Sequence, residues 1–256
     1  MARLVVVSNR VPIPKSRGTV AGGLAVALRD IMTPGSMWFG WSGRLSSDPS
    51  PQPALVEARG VTYATVDLPS EAYKAFYVGF ANGVLWPLLH FRLGLMRYSR
   101  DDYQGYLAVN RSYADSLGLV LDPGDTVWAH DYHLIPFGRM MRERGFRGPM
   151  GFFLHVPFVP PSMMEAVPVG RELIEDLCAY DLVGFQTEEH ARDFRDDRSG
   201  VGGLVVLRFP NDFAARLVER HVIDADDIGD VGRYGAARRN FIHVAGVLAG
   251  HKKISL

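Results

Sequence analysis

Short apolar runs ending in polar residues alternate with helix-spaced amphipathic stretches along most of this chain. Residues 4–7, LVVV, are apolar on both faces, as in a strand buried within a sheet, and give way to Ser8-Asn9-Arg10. The following run, VPIPKSRGTV, is too proline-rich for a helix. Ala21-Gly22-Gly23-Leu24 then opens a helix expected to reach Ile31. Residues 46–59 read as a surface loop marked by Pro and Ser, and residues 61–68 alternate as a half-exposed strand does. A helix is expected from Glu71 to Phe80, entered through Pro69-Ser70 and broken at Asn82-Gly83. Another, with Asp101 and Asp102 in its first turn, is expected over 101–116. A strand at 126–129, a helix at 134–144, a strand running up to His155, a helix at 171–180, a strand at 181–185 and a Thr187-capped helix complete the series. Such alternation implies an α/β fold: a Rossmann-like, mostly parallel sheet with helices on both faces. Residues 195–256 break the pattern. The expected organisation is therefore a Rossmann-like domain over 1–194 and a divergent segment, 195–256, too short for a second complete nucleotide-binding domain.

The stretch from Val127 to Pro157 focuses this reading. One apolar run ends in His130-Asp131-Tyr132-His133, a helical segment follows, and a second apolar run ends in His155. Strands joined by a crossover helix are parallel, so both polar ends point the same way. Open α/β sheets bind ligands there, so Asp131 and His155 are expected to face one crevice.

Composition narrows the possible chemistry. Of 256 residues, 28 are Lys or Arg and 28 are Asp or Glu, so no net field draws the chain to nucleic acid or to an acidic membrane surface. Any anion site must be local. The single cysteine, Cys178, excludes an internal disulfide framework and fits a reducing compartment. The four-residue apolar run near the N-terminus is short for a signal peptide, and no run approaches the roughly 20 residues of a membrane span. A soluble cytoplasmic protein is expected.

Individual residues suggest a binding site more than a nucleophile. Gly22 and Gly23, at the start of a helix after a strand and a loop, would let an anion meet bare backbone amides, although two glycines serve equally well in a tight turn. Arg10, at a strand end, suits a phosphate or carboxylate, against the ordinary alternative of a surface ion pair. Trp41, Tyr77 and Trp86 fall in loops or at helix ends and could pack a sugar face, with core packing as the competing role. Asp131 is either a helix cap or a ligand contact. His130, Asp131, His133 and His155 invite a metal reading, but neighbouring strand residues face opposite ways and HxxH without a helical Glu partner matches no zinc pattern. No metal or cofactor is therefore expected. There is no G-x-S-x-G elbow and no P-loop, and Cys178 reads as a mid-helix residue in apolar surroundings.

Seven ordered blocks carry a family resemblance: SNRVP (8–12), AGGLA (21–25), WFGWSG (38–43), YVGFANGVLWPLLH (77–90), VWAHDYHL (127–134), GFFLHVPF (151–158) and DLVGFQTEEH (181–190). Together they resemble the trehalose-6-phosphate synthase family, retaining glycosyltransferases of the GT-B type. The resemblance implies transfer of glucose from UDP-glucose to glucose 6-phosphate, giving trehalose 6-phosphate, with no protein nucleophile. It implies that Arg10 binds the acceptor phosphate with Tyr77 beside it, that Trp86 packs the acceptor sugar, and that Asp131 bonds its hydroxyls. Trp41 would line the acceptor side. Gly22 and Gly23 would meet the diphosphate, His155 the donor glucose, and Val156 would shape the wall that selects the anomer. Asp131 and His155 are thus the residues assigned to the reaction centre. The expected partners are the two sugar phosphates, with a homo-oligomer left open and neither nucleic acid nor membrane involved. The family has a second, donor-binding domain. This chain is expected to be its N-terminal acceptor half, truncated or frame-shifted after Phe194. A non-catalytic glucose 6-phosphate-binding or regulatory module is the rival expectation.

Overall fold

A computed structural model describes residues 3–11, 13, 32–197 and 205–208. The expected helix at 21–31, with Gly22 and Gly23, lies outside the described residues, as does everything after Arg208.

The apolar runs form one sheet. Its strands are β1 (Leu4–Arg10), β2 (Met37–Leu45), β3 (Ala54–Ala58), β4 (Val61–Leu68), β5 (Thr126–His130), β6 (Met150–Phe153), β7 (Leu182–Phe185) and β8 (Val205–Arg208). They lie in the order β3-β4-β2-β1-β5-β6-β7-β8. All neighbours run parallel except β3 and β4. The fold is the expected Rossmann-like α/β arrangement. From β1 the chain builds outward through β2 to β4, then returns to place β5 on the other flank of β1. The order reverses at β1, and a ligand crevice belongs outside the carboxyl ends of the strands beside such a reversal.

Both faces of the sheet are apolar. Val5, Val7, Phe39, Val127, Ala129 and Phe152 belong to the larger core, while Val6, Trp38, Tyr63, Trp128 and Phe153 form a smaller one on the opposite face. Adjacent strand residues point to opposite faces, so an uninterrupted run such as LVVV fits only a strand covered on both sides.

Five local expectations change. MWFGWSG, left without an element, is β2, and residues 54–58 of the expected loop are the antiparallel edge strand β3. β4 is buried along most of its length rather than half-exposed, because its neighbours cover it on both sides. Asn82-Gly83 does not break the helix. A turn of α-helix (Ser70–Tyr73) widens into a π-helical stretch (Lys74–Leu85) and tightens again (Trp86–Leu89), and these three pieces form α1. Cys178 sits at a helix C-cap, not mid-helix.

α1 packs against α2 (Arg100–Gly118). The two approach so closely that a Cβ on Gly105 would stand 2.4 Å from that of Ala75. Ser99 caps α2, its hydroxyl accepting from the Asp102 amide at 3.4 Å. The remaining helices are α3 (Phe137–Glu143), a short α4 (Pro161–Met164), α5 (Gly170–Leu177) and α6 (Glu188–Asp197). Arg139 of α3 pairs with the buried Asp176 of α5 and ties these two helices together. Among the described residues no helix is long and apolar enough to cross a membrane.

Candidate functional site

The carboxyl ends of β1, β2, β5 and β6 carry the polar residues that the buried strands exclude. At the end of β1 the pairing with β2 slips, so that Ser8 lies opposite Gly40 and Arg10 opposite Trp41. Buried groups fix this irregular end. The Ser8 hydroxyl accepts from Trp38 Nε1 at 2.8 Å and donates to the Arg10 carbonyl at 3.0 Å, while Tyr113 donates to the Asn9 carbonyl at 3.2 Å.

Arg10 is exposed, and its guanidinium lies 5.7 Å from the centre of the Trp41 ring, a cation–π contact. Among the described residues it has no ion pair. Gly43, at φ 88°, makes the space: a Cβ there would stand 2.7–3.0 Å from three guanidinium atoms. Trp41 is a β2 residue rather than a loop residue, and it is only 8% exposed, with Nε1 donating to the Arg44 carbonyl at 2.7 Å. It supports Arg10 from beneath.

An aromatic series leads away from Trp41. Its ring lies 5.0 Å from Tyr73, Tyr73 stacks on Tyr77 at 5.3 Å, Tyr77 on His133 at 5.5 Å, and His133 on Tyr132 at 4.2 Å. Tyr77 thus sits in mid-helix, not at a helix end, and is half-buried between two rings. Tyr132 donates to Asn82 Oδ1 at 3.0 Å, which ties the end of β5 to the widened part of α1.

The turn after β5 is held from inside the protein. Tyr106 donates to the Tyr132 carbonyl at 2.6 Å, Asn110 to the His133 carbonyl at 3.0 Å and Tyr180 to the Leu134 carbonyl at 2.7 Å. At its head, Asp131 has φ 76° and ψ 162°, a region that residues with a Cβ occupy at a cost of about 1–3 kcal/mol. Its carboxylate accepts from the Tyr132 amide at 3.1 Å and caps the 3₁₀ turn Tyr132–Leu134, so the capping alternative is real but concerns that turn and not α3.

Burial pushes the Asp131 carboxyl up to about 6, and the backbone amides of Tyr132 and His155 hold it back from rising further. The Asp131 amide donates to the Phe153 carbonyl at 2.8 Å, which sets Asp131 beside the end of β6, two residues before His155. Burial lowers His155 to about 4 and His133 to about 3, and lowers His130 well below the usual imidazole value. At neutral pH the cluster is one carboxylate among three neutral imidazoles.

His155 follows β6 in a pinned loop: the Leu154 amide donates to the Gly184 carbonyl at 3.0 Å, and Gln186 Nε2 to the His155 carbonyl at 2.8 Å. Val156 beside it is half-buried against the main core. Trp86 stands apart from the contact series. It is 38% exposed and stacks on His90 at 4.3 Å, so core packing does not account for it. Among the described residues no three His, Cys, Asp or Glu side chains converge as a metal site. Sequence reasoning passed over Gly43, Tyr73 and Asn82. Gly43 and Asn82 had one available signal, membership in the aromatic, glycine-rich blocks 38–43 and 77–90; Tyr73 lies just before the second block and had none.

The arrangement offers an exposed cation for an anion, aromatic faces, and a desolvated carboxylate with imidazoles for hydroxyl groups. Comparison with known proteins identifies the family. The chain matches the family model for glycosyltransferase family 20 over residues 2–220. It is 45% identical, over 197 residues, to a trehalose-6-phosphate synthase of Cronobacter sakazakii, covering 77% of this chain and 41% of that protein. Among solved structures, a UDP-forming alpha,alpha-trehalose-phosphate synthase from Burkholderia vietnamiensis superposes with a TM-score of 0.78 at 42% identity, covering 85% of this chain and 50% of that one. One from Burkholderia xenovorans, in complex with glucose-6-phosphate, gives 0.75 at 40% identity, covering 82% and 50%. The chain spans about two fifths of the length of the curated relatives it matches.

Proposed function

The chain belongs to glycosyltransferase family 20, and on that premise we propose that it carries the acceptor side of a glucosyl transfer from UDP-glucose to glucose 6-phosphate, forming trehalose 6-phosphate. The observation that carries this reading is the contact series from Arg10 through Trp41, Tyr73, Tyr77, His133 and Tyr132 to Asp131, which crosses α1 from the end of β2 to the end of β5, with His155 just beyond the neighbouring end of β6. In this reading Arg10 binds the acceptor phosphate, its guanidinium held over Trp41, with the Tyr77 hydroxyl beside it. Trp86 offers its exposed indole to the acceptor sugar. Asp131 accepts from sugar hydroxyls. His155 meets the donor glucose, Val156 shapes the wall beside it, and Gly22 and Gly23 meet the diphosphate.

The site has one carboxylate where a double-displacement glycosidase needs two about 5 Å apart. A reaction on one face of the donor, in which a departing phosphate oxygen takes the acceptor proton, asks less of the protein. Its tasks are to align the two sugars and stabilise the leaving diphosphate. The sheet domain, expected over 1–194 and extended by β8 to Arg208, would supply the acceptor half of this arrangement, in the cytoplasm where both sugar phosphates are found.

The span of the chain relative to its relatives gives the module reading a specific claim: glucose 6-phosphate binding without turnover. Two measurements separate the readings. UDP release is followed with UDP-glucose and glucose 6-phosphate, using this chain alone and fused to the remaining length of a relative. Calorimetry measures glucose 6-phosphate binding by the chain alone. Release by either form, abolished by Arg10→Ala, supports the transferase. Binding with no release from either form supports the module, and absence of both removes the site assignment.

A further inference from the structure

His130 and His155 touch through their rings. His130 closes β5 opposite Phe153 of β6, and His155 lies two residues beyond Phe153. His130 Nδ1 stands 2.9 Å from His155 Nε2, with the rings 5.2 Å apart and 30° from parallel. His130 is 1% exposed, and its ring packs at 4.5 Å against Trp128. Its Nε2 is sealed from solvent without a partner among the described residues. His155 is half-buried; its Nδ1 has no partner among the described residues and is not among the sealed polar atoms.

Two neutral rings place two protons on four nitrogens, and one proton must lie between Nδ1 and Nε2. If His155 Nε2–H donated, His130 would carry its own proton on Nε2, a buried N–H with no acceptor. If His130 Nδ1–H donates, His130 Nε2 is a bare lone pair in apolar surroundings and the second proton sits on Nδ1 of His155. Buried N–H groups without acceptors are rarer than acceptors short of a donor, so the second arrangement is favoured. Burial keeps both rings neutral near pH 7, so neither gains a third proton that would blur the choice.

We infer that His130 is a positioning residue: it fixes the proton of His155 on Nδ1, making the open side of His155 a hydrogen-bond donor aimed at an oxygen acceptor of the sugar nucleotide. The identity of that ligand rests on the proposed function; the tautomer does not. An aspartate or a backbone carbonyl commonly orients a histidine in this way. Here a second, buried histidine does it. The pair therefore selects a ligand oxygen with a free lone pair and disfavours a group that can only donate.

Ring-nitrogen NMR of the ¹⁵N-labelled chain at neutral pH tests this directly, because protonated and bare imidazole nitrogens resonate far apart. His155→Gln identifies the His155 signals. The expected result is a protonated Nδ1 and a bare Nε2 on His155. In His130→Asn the side-chain NH₂ takes the place of Nδ1–H, and the pattern persists. In His130→Leu it shifts towards the Nε2–H form that an unconstrained side chain prefers. A protonated Nε2 on His155 in the unmodified chain overturns the inference, and this holds even where His130→Leu does not fold. UDP-glucose calorimetry on the chain fused to the remaining length of a relative separates the two claims. Protonated Nδ1 with no UDP-glucose binding refutes the donor role while the tautomer stands. Protonated Nε2 with binding does the reverse.

Discussion

The two ends of the crevice solve opposite problems. At the ends of β1 and β2 the group proposed to bind phosphate is an exposed cation, and its supports are an aromatic face and a glycine: Arg10 over Trp41, beside Gly43. The unusual backbone there falls on Gly43, which tolerates it. At the ends of β5 and β6 the functional groups are buried and their proton affinities displaced, and the unusual backbone falls on Asp131, which has a Cβ. A phosphate carries its own charge and meets a hydrated Arg at modest desolvation cost, so that end needs a placed guanidinium and little enclosure. A sugar hydroxyl is neutral and binds by direction, so that end needs carboxylate and imidazole held in fixed orientation away from competing water. Relaxed support suits the charge, and strained, enclosed support suits the hydroxyls.

The largest expected effect tests the first half of this contrast. Arg10→Ala should weaken glucose 6-phosphate binding by about 100-fold, the order expected on losing a charged partner of a phosphate, while leaving glucose binding nearly unchanged. Arg10→Lys should fall between, because a lysine lacks the planar fork. Calorimetry with both ligands reads the split, and equal loss for both would mean that Arg10 holds the fold and not the phosphate. Strain at the other end is tested by stability. Glycine is ordinarily about 0.5–1 kcal/mol worse than alanine, but at φ 76° and ψ 162° the order should reverse, with Asp131→Gly more stable than Asp131→Ala by about 1–2 kcal/mol. Both variants lose the carboxylate, so both should bind the sugar poorly, and urea melts of the pair isolate the backbone term.

This contrast also marks what was legible in the sequence. The central strands were readable because burial on both faces leaves uninterrupted runs such as LVVV, and the parallel arrangement placed Asp131 and His155 at one edge before any coordinates. β2 was hidden because its run is split by Gly40, Ser42 and Gly43, residues that depress strand signals; Gly40 makes room for the Ser8 carbonyl and Gly43 for the Arg10 guanidinium. Asn82-Gly83 looks like a helix break, yet the π-helical widening of α1 carries the chain through it. Local turn chemistry lost there to packing on α2. The role of Trp41 was half legible: its type fitted a sugar platform, but only the structure shows it buried beneath a guanidinium. Strain at Asp131 left no trace in the sequence, because nothing in HDYH specifies a positive φ.

A pH series sharpens the second half of the contrast. Asp131 ionises near 6, whereas burial keeps His155 near 4, His133 near 3 and His130 lower still, so the three imidazoles do not titrate between pH 5 and 7.5. If the carboxylate is the hydroxyl acceptor, affinity should rise with pH through about 6, by up to about tenfold from pH 5 to 7.5. The ligand phosphate titrates in the same window, so the quantity to read is the difference from Asp131→Asn, in which the phosphate contributes equally. Stability should move the other way. The folded carboxyl lies above its unfolded value, so the folded state holds the extra proton between about pH 4 and 6. Its contribution is fully present below that window and is lost as pH rises through 6. Opposite slopes for binding and stability, each taken as the difference from Asp131→Asn, would identify a carboxylate kept at the site at the expense of the fold.

The smallest expected effect separates placement of Arg10 from its charge. In Gly43→Ala the new Cβ would stand 2.7–3.0 Å from the guanidinium, and φ 88° would be imposed on a residue that resists it. The guanidinium is the far end of a flexible side chain and can swing aside, so overlap costs little and the backbone accounts for most of the destabilisation, about 1 kcal/mol. Displaced from Trp41, Arg10 retains its charge but loses its pre-set position, and glucose 6-phosphate affinity should fall about threefold, far less than in Arg10→Ala. If the loss instead equals that of Arg10→Ala, charge without placement is worthless here. If affinity is unchanged while stability drops, Gly43 is a turn residue only, and the relaxed support at this end reduces to Trp41 alone.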